Sequence, residues 1–297
     1  MHDDHDLGLV HDLRMLELRL LQRRRLLGWM AAGGGTVLLD ACSGGGSSMS
    51  STTATSTTTS TTGTGTTGTG TTGTGTTGSG CATAIPEETN GPYPSDGSNM
   101  AQGTISNILA ASGVVRSDIR SSFGALAGTA AGAPLTLTVN LVNLNASCAA
   151  LANYAIYLWH ADANGQYSLY DLPQQNYLRG VQATNANGQA TFTTVFPGCY
   201  AGRYPHIHFE VYRSLATATS YANRVLTSQF AMPRDAANAI YATSAYPSSA
   251  SRFASITTAS DNVFGDNTAA QIAAMTPSLT GSVTAGYTGS ATVALSA

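Results

Sequence analysis

A tyrosine, an arginine and two histidines fall within nine residues, in the stretch Phe196-Pro197-Gly198-Cys199-Tyr200-Ala201-Gly202-Arg203-Tyr204-Pro205-His206-Ile207-His208. His206 and His208 are two apart, so on a β-strand both imidazoles project from one face, while Ile207, Phe209 and Val211 point the other way into a core. Two imidazoles on one face of a strand suit a metal ion. Taken singly, a His-x-His pair is more often a packing feature than a ligand pair, so the rest of the donor set decides. Tyr167 follows the turn Asp162-Ala163-Asn164-Gly165-Gln166, and Tyr200 follows Pro197-Gly198. Two phenols and two imidazoles near turns are positioned to converge at one end of a sheet. Phenolate is a hard anionic ligand, which favours ferric iron over zinc. No carboxylate completes a two-histidine, one-carboxylate set here. Glu210, on the face of His208, is the nearest acid.

The elements that must carry these residues are read from periodicity. Leu135, Leu137, Val139 and Leu141 alternate with Thr136, Thr138 and Asn140, and Tyr154, Ile156 and Leu158 alternate before Trp159-His160. Ala190, Phe192 and Thr194 oppose Thr191, Thr193 and Val195. His206–Tyr212 and Arg224–Phe230 read as further strands, and 282–284 with 291–295 as a late hairpin. Asn164-Gly165 and Asn187-Gly188 are hairpin turn dipeptides. Helix is expected only over 104–111 and 235–241. The fold class is therefore all-β, a β-sandwich with few short helices.

Composition narrows the chemistry. Among 297 residues there is no lysine, and all 13 basic residues are arginine. A P-loop lysine, a Schiff-base lysine and a lysine general base are excluded. A net charge of −3 gives no footprint for nucleic acid. Gly63-Thr64-Gly65-Thr66-Thr67-Gly68 matches a dinucleotide-binding pattern, but no strand precedes it and no helix follows. Cys42, Cys81, Cys148 and Cys199 form no CxxC pair, and the simplest count is one disulfide and one free thiol once Cys42 is set apart.

The first 80 residues read as address and tether. Arg23, Arg24 and Arg25 precede 14 uncharged residues, Leu26 to Leu39, a run too short and glycine-rich for a membrane span and suited to an export signal. Arg23-Arg24-x-Leu26-Leu27 resembles a twin-arginine signal. Leu39-Asp40-Ala41-Cys42 resembles a lipoprotein cleavage box, so residues 1–42 are expected to export the chain to the periplasm or cell surface, with membrane attachment through a lipidated Cys42. Residues 43–80 are nearly all Ser, Thr and Gly, a disordered tether. Residues 81–297 are the folded domain, with a C-terminal extension from about 260.

Three stretches together resemble the intradiol ring-cleavage dioxygenases: Trp159-His160-Ala161-Asp162-Ala163-Asn164-Gly165-Gln166-Tyr167, then Leu178-Arg179-Gly180-Val181-Gln182, then 196–209. Pro86-Glu87-Glu88-Thr89-Asn90-Gly91-Pro92-Tyr93 is similar to that family's N-terminal element. The likeness runs in order from about 84 to 232 and is strongest to the exported, single-domain branch. The resemblance implies non-haem Fe(III) held by Tyr167, Tyr200, His206 and His208, with Tyr167 and His206 equatorial and Tyr200 and His208 axial. It implies that Tyr200 leaves the metal as substrate binds and takes its proton. It also implies that Arg203, assisted by Gln229, stabilises a carbanion-like or ketonised substrate. The activity implied is cleavage of a catechol-type ring with O2 to a muconate-type diacid. His160 matches no ligand position and is expected, with Asp162, to support the turn. Arg179 is expected to pair within the fold. The rival readings are a non-catalytic β-sandwich surface lipoprotein that binds a ligand or partner, and a zinc hydrolase using His206 and His208.

Overall fold

Leu135, Leu137, Val139 and Leu141 are buried while the polar residues between them are half-covered, and this alternation builds the central strand of the fold. The computed structural model describes residues 81–297. In chain order the strands are β1 (Asp96–Ala101), β2 (Thr104–Asn107), β3 (Pro134–Asn143), β4 (Ala149–Ala150), β5 (Ala155–Trp159), β6 (Arg179–Ala183), β7 (Gln189–Val195), β8 (His206–Tyr212), β9 (Arg224–Ala231), β10 (Ser278–Ser282) and β11 (Gly286–Leu295). Three short helices follow β9: α1 (Arg234–Tyr241), α2 (Ser249–Ala254) and α3 (Ala269–Met275). The export signal, Cys42 and the tether lie outside the described residues.

The molecule is a β-sandwich. One sheet runs β10-β11-β3, with β7 and the short β4 also pairing to β3. The other runs β6-β5-β8-β9, antiparallel throughout. The core between them joins Leu137, Val139, Phe192 and Val293 to Ile156, Leu158, Ile207, Phe209 and Phe230. The second sheet is buried on its outer face too. There Tyr157, Trp159, Tyr212 and Val181 pack against Ile108, Leu109, Val114 and Tyr167 from loops. All seven residues of β8 are consequently buried, and the two histidines face a covered interior rather than solvent.

The structure departs from the periodicity at three places. Residues 104–111 are not a helix: Gln102 and Gly103 turn the chain, Met100 pairs with Ile105, and β2 forms a separate two-stranded ribbon with β1. The spacing of Ile105, Ile108 and Leu109 imitates a helical stripe, yet Ile105 is exposed while the other two are buried. Neither Asn-Gly dipeptide closes a hairpin. Asn187-Gly188 carries the chain from β6 in one sheet to β7 in the other, and Asn164-Gly165 tightens a loop without a strand after it. The late hairpin is present, its first strand lying a few residues earlier than expected. Beyond 260 the chain is integral to the sandwich, because β11 runs parallel to β3 over its length and supplies Ala291, Val293 and Leu295 to the core. A disulfide joins Cys81 to Cys148, and Cys199 is a buried free thiol whose pKa burial pushes up to about 12, which leaves it unreactive.

Candidate metal centre

The outer face of the second sheet gathers the residues singled out above. His206 and His208 follow from the alternation of β8 and are only 3% and 2% exposed. The loop from His160 to Leu178 returns Tyr167 over the same face. Asp162 shapes the start of that loop, its Oδ1 accepting from the amides of Asn164 at 2.8 Å and Gln166 at 3.0 Å, and its Oδ2 from the Tyr177 hydroxyl at 3.1 Å. The Tyr200 turn then docks onto this loop backbone to backbone, with the Gly198 amide donating to the Asp162 carbonyl at 3.0 Å. A Cβ on Gly198 would lie 2.5 Å from that oxygen, so only glycine permits the approach.

The four groups meet. The His206 and His208 Nε2 atoms are 3.0 Å apart, and the Tyr200 hydroxyl is 3.1 Å from His206 Nε2. The Tyr167 hydroxyl is 3.2 Å from His208 Nε2 and 3.4 Å from His206 Nε2. Donor atoms roughly 2 Å from one ion stand about 3 Å from each other, so these separations suit a shared cation. His206 Nδ1 lies 2.6 Å from the Tyr204 carbonyl and must donate its proton there, leaving a lone pair on Nε2. Burial, together with His206 and Arg203, holds the pKa of His208 well below the ordinary histidine value, so it stays neutral. Burial likewise raises the Tyr167 phenol, whose ionisation therefore needs a positive neighbour. Two imidazole nitrogens and two phenols facing one point, with no carboxylate among them, fit a hard trivalent metal. Among the described residues no cluster of three or more His, Cys, Asp and Glu could hold a metal, so any ion bound here would depend on the phenols.

The surroundings hold His208 and Tyr167 closely. Trp159 stacks on His208 with centroids 4.8 Å apart and planes within 6°, and Tyr93 lies 4.7 Å over Tyr167. Gly91, at φ +69°, passes so close that a Cβ would meet His208 Cε1 at 3.2 Å. Arg179 is an internal tie: it donates to the carbonyls of Tyr93, Pro94 and Ser168, to Ser168 Oγ and to the Tyr157 hydroxyl. Gln229 stands directly opposite His208 in the β8–β9 ladder; its Oε1 accepts from Arg203 Nη2 at 2.7 Å and its Nε2 donates to the Thr89 carbonyl at 2.9 Å. Three residues lie apart from the donor cluster. His160 bonds Thr194 Oγ1 at 2.7 Å and the Ala161 carbonyl at 2.8 Å. Asp162 serves its turn. Glu210 accepts from the Tyr212 hydroxyl at 2.5 Å, and burial raises its pKa well above the carboxylate range.

Some of the surrounding residues gave no sequence signal. Asp261 pairs with Arg203, and Phe264 lies 6.4 Å edge-on to His206. Both come from a loop more than 50 residues beyond the histidines, and no local pattern marks them.

With this geometry in view, the similarity to solved structures is informative. The fold is that of the intradiol ring-cleavage dioxygenases. The solved structure of an intradiol ring-cleavage dioxygenase from Tetranychus urticae is similar at a TM-score of 0.54 and 24% identity, over 72% of this chain and 95% of that one. A second dioxygenase crystal structure is similar at the same TM-score and 25% identity, with the same coverage. No family model matches the chain, and no curated protein matches it.

Proposed function

We propose that this chain is a non-haem Fe(III) intradiol dioxygenase that cleaves a catechol-type ring with O2 to a muconate-type diacid. The observation that carries the reading is the meeting of Tyr167, Tyr200, His206 and His208 with their donor atoms 3.0–3.4 Å apart in a buried site. The iron, when bound, supplies Lewis acidity and a template that draws electron density from the ring diol. The chain supplies the rest. Tyr204 fixes the His206 tautomer, Trp159 fixes the His208 ring plane, and Tyr93 walls one side of Tyr167. Tyr200, half-exposed on a turn, is the donor able to swing away as the diol arrives, and its phenolate oxygen takes a substrate proton. Arg203, steadied by Gln229, offers positive charge where negative charge builds on the ring. Burial excludes water.

The test is purification with ferric iron followed by oxygen uptake on catechol, protocatechuate and hydroxyquinol. Visible absorption from tyrosinate bound to Fe(III) and production of a muconate-type acid are expected. His208→Ala should lose both colour and iron, and Tyr200→Phe should lose ring cleavage. An iron-replete protein that stays colourless and leaves all three diols intact would favour a binding module instead.

We propose further that the chain is exported, as its leader suggests. The Cys81–Cys148 disulfide supports this, since such bonds persist in oxidising compartments. Replacing residues 1–42 with a cytosolic start should leave the protein inside the cell. Cys42→Ala should move it from the membrane to the soluble fraction, and an unchanged distribution would remove the lipid anchor.

A further inference from the structure

Arg203 is wholly buried, and a long cationic side chain inside a site needs something to fix its direction. Its Nε donates to Asp261 Oδ2 at 3.0 Å and its Nη2 to Gln229 Oε1 at 2.7 Å, so the guanidinium is held at two of its nitrogens by two different side chains. Asp261 is itself immobilised. Its Oδ2 also accepts from the Tyr204 amide at 2.6 Å, and its Oδ1 accepts from the amides of Val263 at 2.8 Å and Phe264 at 3.0 Å. Its side chain is fully buried. The same carboxylate thus ties the guanidinium, the backbone that leads into His206, and the loop carrying Phe264, whose ring lies 6.0 Å from the guanidinium carbon.

We infer that Asp261 is a positioning residue that acts through Arg203, holding the guanidinium in the plane that presents its charge to the ring bound at the donor cluster. This rests on the dioxygenase reading above. A merely structural acid would stabilise its own turn whatever stood at 203. An acid that works through Arg203 loses its influence on the reaction once that arginine is gone.

The test is a double-mutant cycle of Asp261→Asn, Arg203→Gln and the pair, in the iron-loaded full chain. Turnover of catechol is measured per bound iron, and the affinity for 4-nitrocatechol is measured under argon, where no cleavage occurs. Asp261→Asn should lower kcat about 10- to 100-fold with KM changed less, and should weaken 4-nitrocatechol binding. In the Arg203→Gln background the second substitution should change either quantity less than about twofold. Effects that multiply in the double variant would overturn the inference. A crystal structure of Asp261→Asn should show the guanidinium turned out of its plane; Arg203 found in place would overturn it whatever the activity. If Asp261→Asn does not fold, Arg203→Lys serves. It keeps the charge but cannot bridge Asp261 and Gln229, so full kcat in that variant would sink the idea. A wild-type protein that neither binds 4-nitrocatechol nor cleaves catechol defeats the dioxygenase reading instead, and the position of Arg203 in the crystal still decides the role of Asp261.

Discussion

The candidate metal centre has a strand half and a loop half, and they are held in different ways. His206, His208 and Gln229 sit on β8 and β9, where a ladder of backbone hydrogen bonds fixes every position and alternation fixes every direction. Tyr167, Tyr200 and Arg203 sit on loops, where the backbone has no ladder. Beyond the backbone contact of Gly198 to the Asp162 carbonyl, their places depend on side chains that bond to main-chain groups: Asp162 within its own turn, Arg179 under the wall formed by Tyr93 and Pro94, Arg252 and Ser249 at the Tyr200 turn, and Asp261 at Arg203. The difference teaches that the strand half should tolerate the loss of any one distant side chain, whereas the loop half should not.

The largest effect that separates the halves is expected at Arg179, a buried residue of β6 that touches no donor. Its guanidinium satisfies the carbonyls of Tyr93 and Ser168 and shares that of Pro94 with the Tyr157 hydroxyl, and a buried carbonyl stripped of its donor costs about 1–3 kcal/mol. Arg179→Met should therefore destabilise the fold by on the order of 4 kcal/mol in denaturant unfolding, with amide exchange rising first at Gly91, Tyr93 and Ser95 and at 167–171. A loss below about 1 kcal/mol would mean that the wall and the Tyr167 loop hold themselves.

These two halves also differ in how much of them is legible from sequence. The period-2 pattern marked β3, β5, β7, β8 and β9 because each packs one face against the inter-sheet core, and His-x-His fell on the other face of β8 by the same arithmetic. The helix expected at 104–111 failed because Ile105 belongs to an exposed ribbon and Ile108 and Leu109 to a loop over the second sheet, a tertiary arrangement with no local signature. The tyrosines were placed by motif resemblance rather than by periodicity. Asp261 could not be found at all, since its partner is 58 residues away and a lone aspartate in a polar loop looks like any other.

An intermediate effect should come from acid. His160 marks where the chain leaves β5 for the loop half. Its Nδ1 donates to the Ala161 carbonyl and its Nε2 accepts from the Thr194 hydroxyl on β7. Burial depresses its pKa from 6.5 to about 4. The unfolded chain takes up this proton near pH 6.5 while the folded chain resists until about 4, so the unfolded state binds more protons in that window. The contribution is whole above 6.5 and is lost as pH falls toward 4, about 3 kcal/mol in all. His160→Gln should be less stable at neutral pH, and its stability should fall less than that of the wild type between pH 6.5 and 4. Parallel stability curves for the two proteins would show that the entrance to the loop half carries no such linkage.

The smallest expected effect is the sharpest probe of the comparison. Arg252, on α2, donates from one Nη1 to the carbonyls of Asn164 at 3.2 Å and Cys199 at 3.3 Å, and so pins the Tyr167 loop to the Tyr200 turn. Its neighbour Ser249 accepts from the Cys199 amide at 3.0 Å, so one contact to the turn survives without Arg252. The side chain is partly exposed, and water can replace it at both carbonyls, so Arg252→Met should cost only about 1 kcal/mol of global stability. Local opening is a different quantity from global unfolding. With the pin removed, amides at 199–203 should exchange up to about fivefold faster, since fivefold corresponds to about 1 kcal/mol of opening free energy, while those of 206–212 keep the wild-type rate. If β8 loosened by the same factor, the two halves would be one cooperative unit and the distinction between ladder and clamp would fail. If neither moved, Gly198 docked on the Asp162 carbonyl would be sufficient to hold the turn, and the clamp would reduce to a surface contact.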